Sequence, residues 1–310
     1  DVAALTLGTR RDGSIAHTGQ VDRYTFTLAA DSRLIFDGLA NVGFQWTLTG
    51  PRGTVVLNRD LRFSDSYYAY PILDLVAGTY QLSVDGPVGN YSFLVGKLAS
   101  ATEITPGTAV SGQLNPGNET DLYRFSVTAG ERVYFDNQQY SSGNTYWRLL
   151  DPYGNQVFSQ THISTDVDVL ALAYTGSYTL LMEGLYNSAA VENYRFNIQP
   201  VSDDVAALTI GTRIDGSIAY AGQADRYTFN LAADSRLIFD GLANVAFQWT
   251  LTGPRGTVVL NRDLRFSDSY YGYPLLDLVA GDYVLTVGVA GEATGAYAFR
   301  LLDLASATAI

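Results

Sequence analysis

The chain has 310 residues, 19 basic against 31 acidic side chains, a formal net charge of −12, 2 histidines and no cysteine. A disulfide framework, a thiolate nucleophile and a Cys/His metal cluster are thereby excluded. The acidic balance argues against a nucleic-acid partner, which needs a basic face. No apolar run reaches the roughly 18 residues of a membrane-spanning helix.

Read from the start, the chain is a series of short strands. Residues Asp22 to Leu28 alternate, with Tyr24, Phe26 and Leu28 on one face. Leu34 and Phe36 repeat that pattern, as do Trp46 and Leu48, and strands over Gly53 to Leu57, Tyr80 to Val84 and Tyr91 to Val95 follow. Turn signals separate them at Gly19-Gln20, Ala30-Asp31, Gly50-Pro51, Ala77-Gly78 and Gly89-Asn90. No window carries helical periodicity.

The same series recurs. Asp1 to Val84 aligns with Asp204 to Val287 without a gap, with 12 differences in 84 positions. Among the changes are Leu7 to Ile210, His17 to Tyr220 and Ile72 to Leu275. The middle third is a distant copy in phase. Asp22-Arg-Tyr-Thr-Phe26 matches Asp121-Leu-Tyr-Arg-Phe125 and Asp225-Arg-Tyr-Thr-Phe229, and Trp46, Trp147 and Trp249 fall in register. The order is A–B–A, predicting three domains: repeat A over 1–100, a divergent repeat B over 101–202 and repeat A again over 203–310. Each is large enough for its own core, with its tryptophan inside. The segment Leu304 to Ile310 echoes Leu98 to Ile104, which opens the B copy. The chain is therefore expected to be a stretch of a longer array, with another B-type copy following. Lys97 is the sole lysine, so Lys–Asn isopeptide staples in every domain are ruled out. Short strands at about ten-residue spacing predict an all-β chain of three tandem antiparallel sandwiches of Greek-key or jelly-roll type.

The series Ser14-Ile15, Gly19-x-x-Asp-x-Tyr-x-Phe26, a Pro-Gly turn, Ala-Gly-x-Tyr80 and Asn90-Tyr-x-Phe93 resembles the bacterial pre-peptidase C-terminal domain, a family that includes the collagen-binding domains of bacterial collagenases. The resemblance covers all three copies. It implies secreted β-sandwiches appended to proteases or strung through surface proteins, some binding calcium and some binding substrate. One departure is clear. Where the family often carries Asp-x-Asp-Leu before the turn, this chain has Phe44-Gln-Trp46-Thr-Leu48 and Asn144-Thr-Tyr-Trp147, aromatic core in place of acids.

Catalysis is not expected. A hydrolytic triad needs a histidine base, and His17 and His162 lie outside any motif. Calcium is the expected cofactor, since hard cations take carboxylate and carbonyl oxygens. Gln199-Pro-Val-Ser-Asp203-Asp204 puts adjacent acids between two repeats. In the collagen-binding relatives, acids near the N-terminal linker help hold calcium, which makes Asp203, Asp204 and the strand-initial Asp225 the candidate ligands here. The loop Asn58 to Asp65, repeated at Asn261 to Asp268, interleaves its acids with Arg59 and Arg62, which would satisfy them as ion pairs. Asp22, Asp121 and Asp225 also have a structural alternative, accepting backbone N–H bonds from a neighbouring turn. The ligand-facing candidates are Tyr67, Tyr68 and Tyr70, repeated as Tyr270, Tyr271 and Tyr273. Neighbouring tyrosines in a strand point to opposite faces, and an exposed one can stack on a sugar or a peptide.

The composition and repeats predict structural spacer modules of a large extracellular or cell-surface bacterial protein of adhesin type, with adjacent repeats as its constant partners. Two alternatives stand beside that. One is a module on the A repeats binding a cell-surface polysaccharide or protein. The other is the accessory tail of a secreted protease.

Overall fold

The structure is a computed structural model that describes residues 2–63, 71–141, 144–267, 274–288 and 292–307, without the side chains of 159 and 160. Among the described residues there is no α-helix, and no helix is long and apolar enough to cross a membrane.

In the first repeat the strands are β1 (Val2–Ala4), β2 (Arg11–Ile15), β3 (Val21–Leu28), β4 (Ser32–Gly38), β5 (Gln45–Gly50), β6 (Gly53–Asp60), β7 (Ile72–Leu75), β8 (Gly78–Asp85) and β9 (Gly89–Lys97). They form a five-stranded sheet, β1-β3-β8-β5-β6, and a four-stranded sheet, β2-β9-β4-β7. The middle repeat builds the same two sheets from β10 (Thr102–Glu103) through β18 (Glu192–Val201), and the third from β19 (Val205–Ala207) through β27 (Gly295–Asp303). Pairing is antiparallel except at the first strand of each repeat. That strand lies parallel to its neighbour, as in Val2 opposite Arg23 and Val205 opposite Arg226. Such edge strands of two or three residues carry too little pattern to reveal their direction in a sequence.

Period-two alternation sends Tyr24, Phe26 and Leu28 of β3, Trp46 and Leu48 of β5, and Tyr80, Leu82 and Val84 of β8 into one core. The facing sheet contributes Leu34 and Phe36 of β4 and Tyr91, Phe93 and Val95 of β9. Trp46, Trp147 and Trp249 are completely buried, as expected. The Trp46 ring lies flat on Phe36, with centroids 3.8 Å apart, and Trp249 on Phe239 repeats this at 4.0 Å.

The register of β5 with β6 slips between Trp46 and Leu48. Close by, Asn58 takes a left-handed backbone, φ 44°, and Asn261 does the same at 46°. Asparagine tolerates this region better than other side chains. Thr47 holds the kink, its hydroxyl accepting from the Asn58 N–H at 3.1 Å.

The chain gathers into two compact units. The first holds residues 1–130, 136–167 and 172–198. The second holds 199–310 with the segments 131–135 and 168–171. Within the first unit, the first two repeats are joined by a buried apolar cluster of their own: Ile35, Ile72 and Leu98 from the first, and Leu122, Leu150 and Leu181 from the second. Those in strands lie on the outer faces of their sheets, and Leu98 lies just past the end of β9. The strands involved, β4, β14 (Thr145–Leu150) and β17 (Gly176–Gly184), are therefore buried on both sides.

Candidate functional site

One polar constellation recurs in all three cores. In the first repeat, the Tyr24 and Tyr91 hydroxyls lie 2.7 Å apart, and Tyr91 donates to Asp22 Oδ2 at 2.6 Å. Each phenol carries one proton, so Tyr24 donates to Tyr91 and Tyr91 to the carboxylate. Gln20 closes the group, donating to Asp22 Oδ1 at 2.8 Å and accepting from the Ala16 N–H at 2.7 Å. The third repeat reproduces every bond with Tyr227, Tyr297, Asp225 and Gln223. In the middle repeat, Tyr194 lies 2.7 Å from Tyr123 and donates to Asp121 at 2.5 Å. Burial pushes Tyr91, Tyr194 and Tyr297 far above the ordinary phenol range, so they stay protonated donors. The strand-initial acid thus has the structural role that the sequence allowed, but its partners are a tyrosine and, in the two A repeats, a glutamine side chain, not turn N–H groups. This packing needs a glycine on the facing strand. A Cβ on Gly13, Gly112 or Gly216 would lie 2.2–2.3 Å from the tyrosine ring or hydroxyl.

The middle repeat changes one member. Glu119 stands where Gln20 stands, accepting the Asn115 N–H at 2.8 Å. A carboxylate cannot donate to Asp121 as the glutamine amide does to Asp22. Burial raises the pKa of Glu119, and the charge of Asp121 adds to the rise. Burial likewise raises Asp121, opposed by the bond from Tyr194.

The three candidate calcium ligands have separate partners. The Asp203 side chain is 8% exposed and pairs with Arg132 at 2.7 Å and Arg226 at 3.0 Å, both within the second unit. Asp204 is exposed, and its backbone carbonyl accepts from the Arg226 N–H at 2.7 Å. Asp225 is buried in the tyrosine constellation. Two guanidinium groups thus sit where a cation would meet Asp203. Ser202, beside it, is held by Tyr220, whose hydroxyl donates to the Ser202 carbonyl at 2.8 Å.

At the end of β6, Asp60 is clamped by Arg62 through Nε at 3.1 Å and Nη2 at 2.8 Å, and Asp263 by Arg265 in the same way. The expected ion pairing of this loop is therefore present at Asp60. Arg59 instead places its guanidinium 5.7 Å from the Trp46 ring. Tyr67, Tyr68, Tyr70, Tyr270, Tyr271 and Tyr273 lie outside the described residues. His162 is half-buried, and its Nδ1 lies 2.5 Å from the Ser164 hydroxyl and accepts the Ser164 N–H at 3.1 Å, a local turn closure.

The feature that sequence reasoning missed is the joint inside the first unit. Arg148 and Glu183 are buried at its centre and pair at 3.0 and 3.1 Å. Asp37 of the first repeat accepts from the Thr120 N–H at 3.2 Å, and the Asn118 amide donates to the Gly38 carbonyl at 3.3 Å. Arg33 donates to the Tyr153 carbonyl, and Phe63 meets the Tyr186 ring edge-on at 4.8 Å. A signal was available. The runs Leu34-Ile35-Phe36, Leu149-Leu150 and Leu180-Leu181-Met182 break the alternation, as strands covered on both faces do.

No family model matches the chain, and no curated protein matches it. Among solved structures, it is similar to a periplasmic inhibitor of g-type lysozyme from Aeromonas hydrophila, at 15% identity over 32% of this chain and 96% of that one, with a TM-score of 0.27. It is also similar to the pre-peptidase C-terminal domain of a Bacillus anthracis collagenase, at 19% identity over 34% of this chain and 99% of that one, TM-score 0.25. A third likeness is to the CUB1-EGF-CUB2 fragment of human MASP-1/3, at 10% identity over 62% of this chain and 99% of that one, TM-score 0.20.

Proposed function

We propose that the three repeats are non-catalytic structural modules of an extracellular or cell-surface protein of adhesin type, serving to space other parts of that protein. One observation carries this reading. In the first unit, adjacent repeats are joined through a buried apolar cluster and a buried ion pair, a joint that resists bending where a bare linker would not. The polar groups that recur in all three repeats are core groups already bonded to one another, which suits a scaffold better than a ligand site. Near-identity of the two A copies suits a part multiplied for length.

Immobilised chain on glycan and collagen-peptide arrays tests the reading. A spacer is expected to show no retention on any surface polymer. Retention that is lost in a Tyr67→Ser/Tyr270→Ser variant with an unchanged melting temperature would replace it with the binding reading.

A further inference from the structure

The third repeat carries the same outer face that the first repeat buries against the middle one. Ile35 is 1%, Ile72 8% and Leu98 7% exposed under the leucines of the middle repeat. Their counterparts are Ile238 and Leu275, both partly exposed, and Leu304, 36% exposed. Phe63 lies against Tyr186, while its counterpart Phe266 is 47% exposed. The two-faced apolar runs persist as well, in Leu237-Ile238-Phe239 and Leu275-Leu276.

One polar exchange marks the face as a variant of the same joint. Opposite Asp37 on the neighbouring strand stands Leu94, and opposite Asp240 stands Arg300, which pairs with it at 2.5 Å. In the first unit, Glu183 of the middle repeat sits near enough to Asp37 for that charge to raise its pKa. A carboxylate arriving at the same place over the third repeat would meet Arg300 as well as Asp240, where the first repeat has Leu94 in the place of the arginine.

We infer that the face formed by Ile238, Phe266, Leu275 and Leu304 is a docking surface for a B-type sandwich, one that presents leucines in the places of Leu122, Leu150 and Leu181 and a carboxylate in the place of Glu183. The occupant is fixed by the first unit, where a face of nearly identical sequence already holds such a sandwich. The inference stands on that joint and on no assumption about where the protein acts.

The chain lacks cysteine, so a single introduced thiol reports directly on cover. The test joins a second copy of residues 105–201 after Ile310 of the full chain, with Leu304→Cys as the probe. A parallel chain carries a Gly-Ser spacer at the joint. Docking is expected to slow maleimide labelling of the thiol at least about tenfold relative to the 310-residue chain, as burial of a formerly open site does. Ile238→Arg in the extended chain is expected to restore the fast rate. Equal labelling in the extended and unextended chains, with a cooperative melt of the added sandwich, overturns the inference. Failure of the added sandwich to fold in both joined forms also counts against it. Concentration-dependent self-association of the 310-residue chain that Ile238→Arg abolishes would assign the face to a second copy instead.

Discussion

Arg148 and Glu183 form a two-point ion pair, at 3.0 and 3.1 Å, with side-chain exposures of 1% and 0%. Arg148 sits opposite Leu181 on the paired strand, so the two charges meet on the diagonal of the sheet's outer face. Burial pushes Glu183 up to about 7, opposed by Arg148. The folded pKa thus stands above the ordinary 4.5, and proton binding favours the folded chain. The contribution of Glu183 to stability falls as pH rises from about 4.5 through about 7.

Removing the arginine should expose that dependence. Arg148→Met leaves a buried carboxylate without its counter-ion, at a cost of about 3–5 kcal/mol at pH 8. At pH 5 the carboxylate takes a proton and the loss should be clearly smaller. Denaturant melts at the two pH values measure the difference. Arg148→Met/Glu183→Leu removes both charges and is expected to recover most of the loss at either pH. An equal cost for Arg148→Met at pH 5 and pH 8 would show that the arginine acts by packing alone.

The middle repeat contains a mismatch that one substitution should repair. Glu119→Gln keeps the carbonyl that accepts the Asn115 N–H and adds the amide donor that Gln20 supplies to Asp22. Glu119 and Asp121 both have raised folded pKa values, so each loses stabilising proton binding as pH climbs above the usual carboxylate range. The variant is expected to gain about 1 kcal/mol at pH 7, with the gain shrinking toward pH 4. Calorimetry across that range reads it. A loss at pH 7 would mean that Glu119 is bound by a partner glutamine cannot replace.

The sandwich was legible in the sequence because core strands such as β3 and β8 alternate cleanly, and because three tryptophans in phase mark one inner face. The tyrosine constellation was half legible. The repeated Asp-x-Tyr located the acid, but its partners Tyr91 and Gln20 lie on another strand and in a preceding turn, brought together only by the fold. Gly13, which lets Tyr91 approach, looked like any strand glycine. The joint in the first unit was hidden because alternation was read for one buried face. Arg148 stood in the sequence as an ordinary charged residue, and only the adjacent runs of leucine hinted that its face was covered. The arginine partners of Asp203 were hidden for a similar reason: it draws Arg132 from 71 positions earlier in the chain.

Trp46 tests the inner face directly. It lies 3.8 Å from Phe36 by ring centroids, and Arg59 stands 5.7 Å from its ring on the other strand. Trp46→Ala should cost the first unit about 3–5 kcal/mol, read as a shift of its denaturant transition. Trp249→Ala is expected to do the same to the second unit, since the stack on Phe239 matches at 4.0 Å. A cost under about 1 kcal/mol would be incompatible with a fully packed indole.

Asp203 decides between arginine and calcium at the start of the third repeat. Its carboxylate already faces Arg132 at 2.7 Å and Arg226 at 3.0 Å, and it also accepts the Ala224 N–H at 3.3 Å. A calcium ion needs six to eight oxygens, and to use Asp203 it would first have to displace two guanidinium groups. Asp204 is exposed nearby, while Asp225 is held in the core by Tyr297 at 2.6 Å and Gln223 at 2.7 Å. Asp203→Asn is therefore expected to lower stability by about 1–2 kcal/mol through lost charge-assisted bonds, equally with calcium or chelator present. Titration calorimetry of the chelator-treated chain at millimolar calcium should give the same heat in the wild type and in Asp203→Asn. A melting temperature that rises with calcium in the wild type and not in Asp203→Asn would reverse the assignment and make the carboxylate a metal ligand.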